Sequence, residues 1–299
     1  MNHWNEVRTA VLLCGLSLLA GCWQAGESEE EQSELLTAWH DQAANIKRSE
    51  GSALNGVKEG EWTWWHPNGT PAVRGSFSAG QEVGVWDEWH PNGTKKSLRT
   101  WTDGRAQGDV QEWYDNGRLS RQASYSGGRA EGPFTEWHPD GSVAAKGEYK
   151  AGRLIGDQQT FWPSAGLKAE GAWEAGVQVG IWRSWHPNGQ LRSEEPFVDG
   201  ALSGLNKSWF AGGERESEVT WDSGSVLIGK KWYESGGLRE VGAQTDGNFE
   251  CWYEDGQIMQ KGALKAGLRE GPWIFHKADG TPDVEMSGAY EAGIKTASL

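Results

Sequence analysis

This sequence is poor in basic residues, in cysteine and in aliphatic side chains, and each shortage excludes something. Lys and Arg number 28 against 42 Asp and Glu, a formal charge of −14 with a pI near 5.0. With no basic stripe to neutralise phosphates, nucleic-acid binding loses its largest favourable contribution, and no nucleic-acid partner is expected. The same deficit disfavours docking on an anionic membrane surface, so membrane contact requires a hydrophobic or covalent device. The low aliphatic content argues against an ordinary core of Leu, Ile and Val. In its place stand 43 Gly and 20 Trp among 299 residues, a composition that calls for a periodic architecture.

The N-terminus supplies a membrane device. An apolar stretch from Ala10 to Leu19 follows Arg8, the pattern of a short secretory signal and too short for a transmembrane helix. The run Leu19-Ala20-Gly21-Cys22 resembles a bacterial lipobox. That resemblance implies removal of residues 1–21, loss of Cys14 with them, and lipidation at Cys22. Only Cys251 then remains, so no intrachain disulfide is expected. Each buried lipid CH₂ adds roughly 0.8 kcal/mol, enough for several chains to anchor the protein stably. Trp23 stands where an Asp would mark inner-membrane retention, which resembles outer-membrane lipoproteins of Gram-negative bacteria. Residues 22–50 read as an acidic tether, with a short amphipathic helix carrying Leu35, Leu36, Trp39, Ala43 and Ile46 near one face.

Self-similarity dominates residues 51–299. Gly60, Gly84, Gly108, Gly132, Gly156, Gly180 and Gly204 recur every 24 residues. In step with them run an aromatic column of Trp65, Trp89, Trp113, Trp137, Phe161, Trp185 and Trp209 and another of Phe77, Trp101, Tyr125, Tyr149, Trp173, Phe197 and Trp221. The period slips by a one-residue deletion before Trp232, a shortened unit ends at Gly247, and an insertion of about two residues precedes the chain end. Gly51, Gly56 and Gly60 form a degenerate half repeat upstream.

Each unit reads as two strands joined by His-Pro-Asn-Gly or a relative of it, so the predicted fold is all-β, an elongated single-layer antiparallel sheet of tandem 24-residue hairpins. Pro presets the first turn position and Gly accepts φ > 0. A three-residue loop closed by a Gly bulge is favoured over a two-residue turn, because the latter would leave Pro67 facing its partner without an N–H. With His66 opposite Thr70, Trp65 falls opposite the column of Leu119, Leu167, Leu191, Leu238 and Ile258. These two columns and the Phe77 column are expected to share the buried face, with the Gly column at 75 and 147 giving room beside the rings. A further column, Trp62, Trp86, Phe134, Trp182, Phe249 and Trp273, lies three residues before the Trp65 column. Either a bulge swings it into the core or it forms an exposed stripe, the candidate binding surface.

The pattern Gly-x-Phe-x-x-Gly-x-x-x-Gly-x-Trp, as at Gly75, Phe77, Gly80, Gly84 and Trp86, resembles the MORN repeat, in the variant common in bacteria and found in YwqK-type antitoxin (immunity) proteins. The resemblance covers roughly residues 51–295. It implies stacked antiparallel hairpins and a role in protein or membrane-lipid interaction, and the antitoxin label implies neutralising a toxin by binding it.

Catalytic patterns are missing. His66, His90, His138 and His186 recur at one position, but successive repeats lie about 9–10 Å apart at 4.7–4.9 Å per strand, too far to share a metal bound at about 2.0–2.1 Å. They are expected to close turns beside Trp. No carboxylate pair is marked for acid–base work, no Ser has a nucleophile elbow, and Cys251, next to Trp252, reads as a buried inert thiol. No catalytic residue, metal or cofactor is expected. The leading function is a non-catalytic, membrane-anchored repeat protein that mediates protein–protein interaction in the bacterial envelope. The alternatives are an immunity protein that binds a toxin, and a glycan binder acting through exposed Trp faces of the Trp62 column.

Overall fold

The computed structural model describes residues 7–9 and 32–298, and among these there is no helix. Cys14 and Cys22, with the signal and lipidation reading, lie outside the described residues. The described residues fall into two compact units, one within residues 1–142 together with 149–152, the other within residues 143–148 together with 153–299. In the first, strands Ser33–Asp41, Ile46–Leu54, Val57–Trp65, Pro71–Ser78, Gln81–Trp89, Lys95–Thr102, Arg105–Trp113, Leu119–Ser126 and Arg129–Trp137 each pair antiparallel with the next in chain order. A short strand, Val7–Thr9, borders Leu35–Thr37. The second unit continues the same alternation from Arg153–Phe161 to Ile294–Ser298. Both are open antiparallel sheets built from hairpins.

Two turn types alternate. At the His-Pro-Asn-Gly loops, His66 N–H donates to Thr70 O at 2.8 Å and Gly69 N–H to His66 O at 2.9 Å, with Gly69 at φ 84°. This is the expected three-residue loop, and the register follows: Trp65 faces Pro71, Trp113 faces Leu119 and Trp185 faces Leu191. The return turns are two-residue, with φ positive at both positions, as at Ala79 (48°) and Gly80 (78°), the type I′ geometry that suits the strand twist. Ala79 adopts a conformation unfavourable for a residue with a Cβ. Its N–H donates to Glu59 Oε2 at 2.8 Å, and Gly80 N–H donates to Lys58 O at 3.0 Å, so each return turn is bonded to the preceding hairpin.

One bulge rearranges the faces relative to the sequence-based expectation, and a second sets how the rings pack. Trp64 pairs with Val73 but Trp65 with Pro71, which leaves Ala72 as an extra residue. One extra residue reverses the alternation beyond it. The Trp65 and Leu119 columns therefore share one face, and the Phe77 column lies on the other, where all three were expected together. The Trp62 column lies on the Phe77 face by regular alternation, since Trp62 pairs with Gly75 two places from the Gly60–Phe77 pair, and a second bulge, with two extra residues, leaves the faces unchanged. Ser76 pairs with Val83 and Arg74 with Asp87, so Gly84, Val85 and Trp86 stand against Gly75 alone. Trp86 then lies flat over Gly75, where a Cβ would sit 2.1 Å from its Cδ2. Gly51 under Trp62, Gly171 under Trp182 and Gly262 under Trp273 repeat the arrangement. The bulge also frees a carbonyl that the indole N–H claims, Trp62 Nε1 to Ser52 O at 2.8 Å and Trp273 Nε1 to Ala263 O at 2.9 Å.

The expected tether and helix over residues 22–50 are corrected where described. Ser33–Asp41 and Ile46–Leu54 form a hairpin paired onto Val57–Trp65, so the array starts before residue 51. The i, i+4 spacing of Leu35, Trp39 and Ala43 suits a helix, but the edge of Val57–Trp65 offers a row of backbone partners that local spacing cannot show. The deletion before Trp232 takes one residue out of the second bulge, where only Leu227 is left unpaired between Val226 and Ile228.

Candidate functional site

The face that carries Trp62 and Phe77 holds aromatic clusters in both units. In the first, Trp62 and Trp64 stack at 5.7 Å, Trp64 and Trp86 at 5.8 Å, and Phe77 meets Trp86 edge-on at 5.1 Å. Lys58 Nζ sits 4.6, 4.9 and 4.8 Å from the rings of Trp62, Trp64 and Phe77. Burial lowers the pKa of this ammonium, and the carboxylate of Glu82, on the Cα partner of Phe77, works against that shift. In the second unit the same positions carry Arg269, whose guanidinium lies 5.3, 4.8 and 5.6 Å from Trp273, Phe275 and Tyr290. Between these positions in sequence the face is mixed: Phe134 lies 4.8 Å from Tyr149 and Trp173 5.3 Å from Trp182, alongside polar pairs of Arg99 with Glu112 at 3.0 Å, Ser184 with Ser193 at 2.7 Å and Lys231 with Glu240 at 2.6 Å.

The candidate stripe is therefore not an exposed surface. Trp62, Phe134 and Trp273 are buried, at 5, 4 and 1% exposure, and Trp86, Trp182 and Phe249 are half-buried. Trp62, Trp86, Trp182 and Trp273, expected to stack on sugars if exposed, lie flat over Gly51, Gly75, Gly171 and Gly262 instead. Cys251 is buried, and burial pushes its thiol pKa up, offset in part by hydrogen bonding with Gln260.

The opposite face carries the Trp65 column as a row of half-buried rings, each beside a cation where one is available: Lys47 at 5.7 Å from Trp65, Arg74 at 5.7 Å from Trp89 and Lys95 at 5.6 Å from Trp113 in the first unit, Arg215 at 5.3 Å from Trp232 in the second. Lys95 also binds Asp87 at 2.7 Å. This amphipathic ladder is partly in contact with solvent, where the sequence pattern placed it in the core. The signal available was the cation at position 71 in other units, Lys47, Lys95 and Arg215, which an apolar core would not admit.

The recurrent histidines clip each loop to the next. His66 Nε2 donates to Trp89 O at 2.9 Å, His90 Nε2 to Trp113 O at 2.9 Å and His186 Nε2 to Trp209 O at 2.8 Å. Tyr114, Tyr233 and Tyr253 do the same with a hydroxyl, and Trp162 with its indole N–H. Asn68 and Asn92 add a second bond, to Pro91 O and Asp115 O at 2.8 Å. Among the described residues no group of three or more His, Cys, Asp or Glu converges as a metal site would require. The acceptor is a carbonyl, so the proton sits on Nε2 of each clipping His. Replacing His90 with Ala is expected to lower local stability by about 0.5–1.5 kcal/mol, whereas His90→Tyr should stay close to wild type. Hydrogen exchange at the 90–94 loop measures both, and equal losses in the two variants would refute the clip.

The fold and these surfaces define a class: an all-β repeat protein of stacked hairpins with two chemically distinct faces. The MORN repeat variant family matches residues 58–79, 130–151, 178–199 and 245–265. Each matched segment is one strand–loop–strand hairpin, so the chain carries MORN-variant repeats at these four places. No curated protein matches the chain. Among solved structures, that of TcdB2-TccC3-Cdc42 aligns over 83% of this chain and 15% of its own, at 10% identity and a TM-score of 0.18. That of TcdB2-TccC3 without the hypervariable C-terminal region aligns over 87% and 17%, at 10% identity and a TM-score of 0.19. The chain thus spans under a fifth of the length of either.

Proposed function

We propose that this protein is a non-catalytic binding scaffold of the bacterial envelope, anchored through lipid on Cys22, that engages a protein partner with its Trp65 face. The observation that supports the reading is the row of half-buried Trp rings with Lys and Arg beside them, presented on an open sheet. Trp and Arg are the side chains enriched where interfaces concentrate binding energy. MORN-variant repeats support the binding class, and a toxin is one partner this class would accept. The test has two arms. Cys22→Ala should move the protein from the membrane fraction to the soluble fraction. A pull-down from detergent-solubilised envelope should capture a protein partner that is lost when Trp89 and Trp113 are both changed to Ser, with circular dichroism used to verify the fold. Capture of polysaccharide alone would overturn the protein-partner reading in favour of a glycan, and an unchanged membrane fraction would overturn the lipid anchor.

A further inference from the structure

On the Trp65 face of the second unit, six neighbouring strands carry charge in strict alternation. The strands are Leu167–Glu174, Val177–Trp185, Leu191–Val198, Gly204–Trp209, Arg215–Asp222 and Ser225–Trp232. Across them the Cα partners run Glu170 to Arg183, Arg183 to Glu194, Glu194 to Lys207, Lys207 to Glu218 and Glu218 to Lys230. Two residues along the strands to one side lies a row of Ala172, Ile181, Pro196, Leu205, Thr220 and Ile228, in which Ile181, Leu205 and Ile228 are 52, 45 and 51% exposed. To the other side lies the row of Trp185, Leu191, Trp209, Arg215 and Trp232. The first unit lacks this pattern. There Glu61 and Asp109 flank Val85 in the apolar row, and Thr63, Arg74, Asp87, Leu98 and Gln111 stand in place of the alternating charges. A continuous row of exposed aliphatic side chains marks an interaction site, and the charge ladder beside it identifies the occupant.

We propose that this face pairs with the same face of a second copy of the chain, about a two-fold axis running along the strands between Glu194 and Lys207. A two-fold interface must be complementary to itself. Six alternating charges turned end for end meet their opposites: Glu194 faces the second copy's Lys207, Arg183 its Glu218 and Glu170 its Lys230. The same rotation sets Pro196 against the second copy's Leu205, Trp209 against its Leu191 and Trp185 against its Arg215, apolar on apolar and ring on cation. A slip of one strand would bring like charges together along the whole ladder, so the charges fix the register while the flanking rows supply attraction. The ladder holds equal numbers of each sign, which spares this patch the excess negative charge of a chain at −14. Six strands about 4.8 Å apart and about 27 Å long give a footprint of roughly 750 Å², close to the ~800 Å² per partner of a stable interface. The first unit's Trp65, Trp89 and Trp113 remain for the scaffold's partner, so the inference goes beyond that reading without resting on it.

The experiment is sedimentation equilibrium of the full chain in density-matched detergent, where the wild type should be a dimer at micromolar concentration. Glu194→Lys and Lys207→Glu each place like charges on both central contacts and should each weaken the dimer roughly hundred-fold. Mixed in equal amounts, the two variants should pair within a few-fold of wild type, because each supplies the sign that the other lacks. No effect confined to one chain can produce that rescue. Leu205→Ser should weaken the dimer about ten-fold through the apolar row. Circular dichroism verifies the fold of each variant. If the central pair does not fold, Glu170→Lys and Lys230→Glu, from opposite ends of the ladder, carry the same mixing test. A monomeric wild type, single variants that stay dimeric as chains sharing a micelle would, or a mixture that stays monomeric would overturn the proposal. Partner capture through Trp89 and Trp113 is read separately: a monomeric wild type that still captures a partner would overturn the dimer alone, and a dimer that captures none would support the pairing and count against the partner.

Discussion

Replacing Trp273 with Ala is expected to destabilise the hairpins around it by about 3–5 kcal/mol, the range for removing a large buried aromatic side chain. Trp273 is 1% exposed, stacks on Phe275 at 5.9 Å and approaches Phe249 at 6.2 Å. Its indole N–H satisfies Ala263 O at 2.9 Å, a carbonyl displaced from the ladder by the bulge. Ala would therefore leave both a cavity and an unpaired carbonyl. Trp273→Phe should recover most of the packing and none of the hydrogen bond, so its loss should fall well below that of Ala. Amide exchange in strands Ile258–Lys265 and Leu268–Phe275 reads the effect locally, which suits an array whose parts need not unfold together. A loss under about 1 kcal/mol would mean the ring does not hold these strands together.

Gly75→Val should destabilise its hairpins by about 3 kcal/mol or more, the upper end for overpacking. The backbone at Gly75 is not in the left-handed region, so the effect is steric. The added Cβ would lie 2.1 Å from Trp86 Cδ2, and Trp64 and Phe77 hold that ring in place. Gly69→Ala is the contrasting control: nothing lies within 4 Å of its Cβ, and only the positive φ of 84° opposes it. A double variant, Gly75→Val with Trp86→Val, should recover much of the loss, because the two positions couple through one contact. The chain itself contains such compensation. Val110 stands in the Trp86 place where Arg99 replaces the glycine, and Phe134 pairs with Ala123. Additive losses in the double variant would show that the glycine is there for some other reason.

Much of this architecture was legible in the sequence. Pro67, Gly69 and their repeats specify a local turn, and the turn sets the register that places Trp65 opposite position 71. The faces were not legible, because an extra residue such as Ala72 recurs in hairpin after hairpin. It leaves the 24-residue spacing untouched while it inverts which side chains meet. Residues 33–54 were misread for another reason: a strand that owes its existence to a neighbouring edge carries no local mark of it, and Leu35, Trp39 and Ala43 happen to fit a helical period. The loop histidines were placed correctly at the turns, but their partner is a carbonyl a full repeat away.

The clips have one further consequence. In a linear array, the strength of coupling between neighbours sets how far a local opening spreads. At the loop Phe210-Ala211-Gly212-Gly213-Glu214, the position of the clipping His is a phenylalanine and that of the clipping Asn is a glycine, so neither side-chain donor is present. The shortened bulge at Leu227 follows within the next hairpin. An opening that spreads link by link is transmitted poorly across such a step. The loop after Trp209 is thus expected to couple its neighbouring hairpins less tightly than a loop clipped by His and Asn, although the strand ladder continues across it.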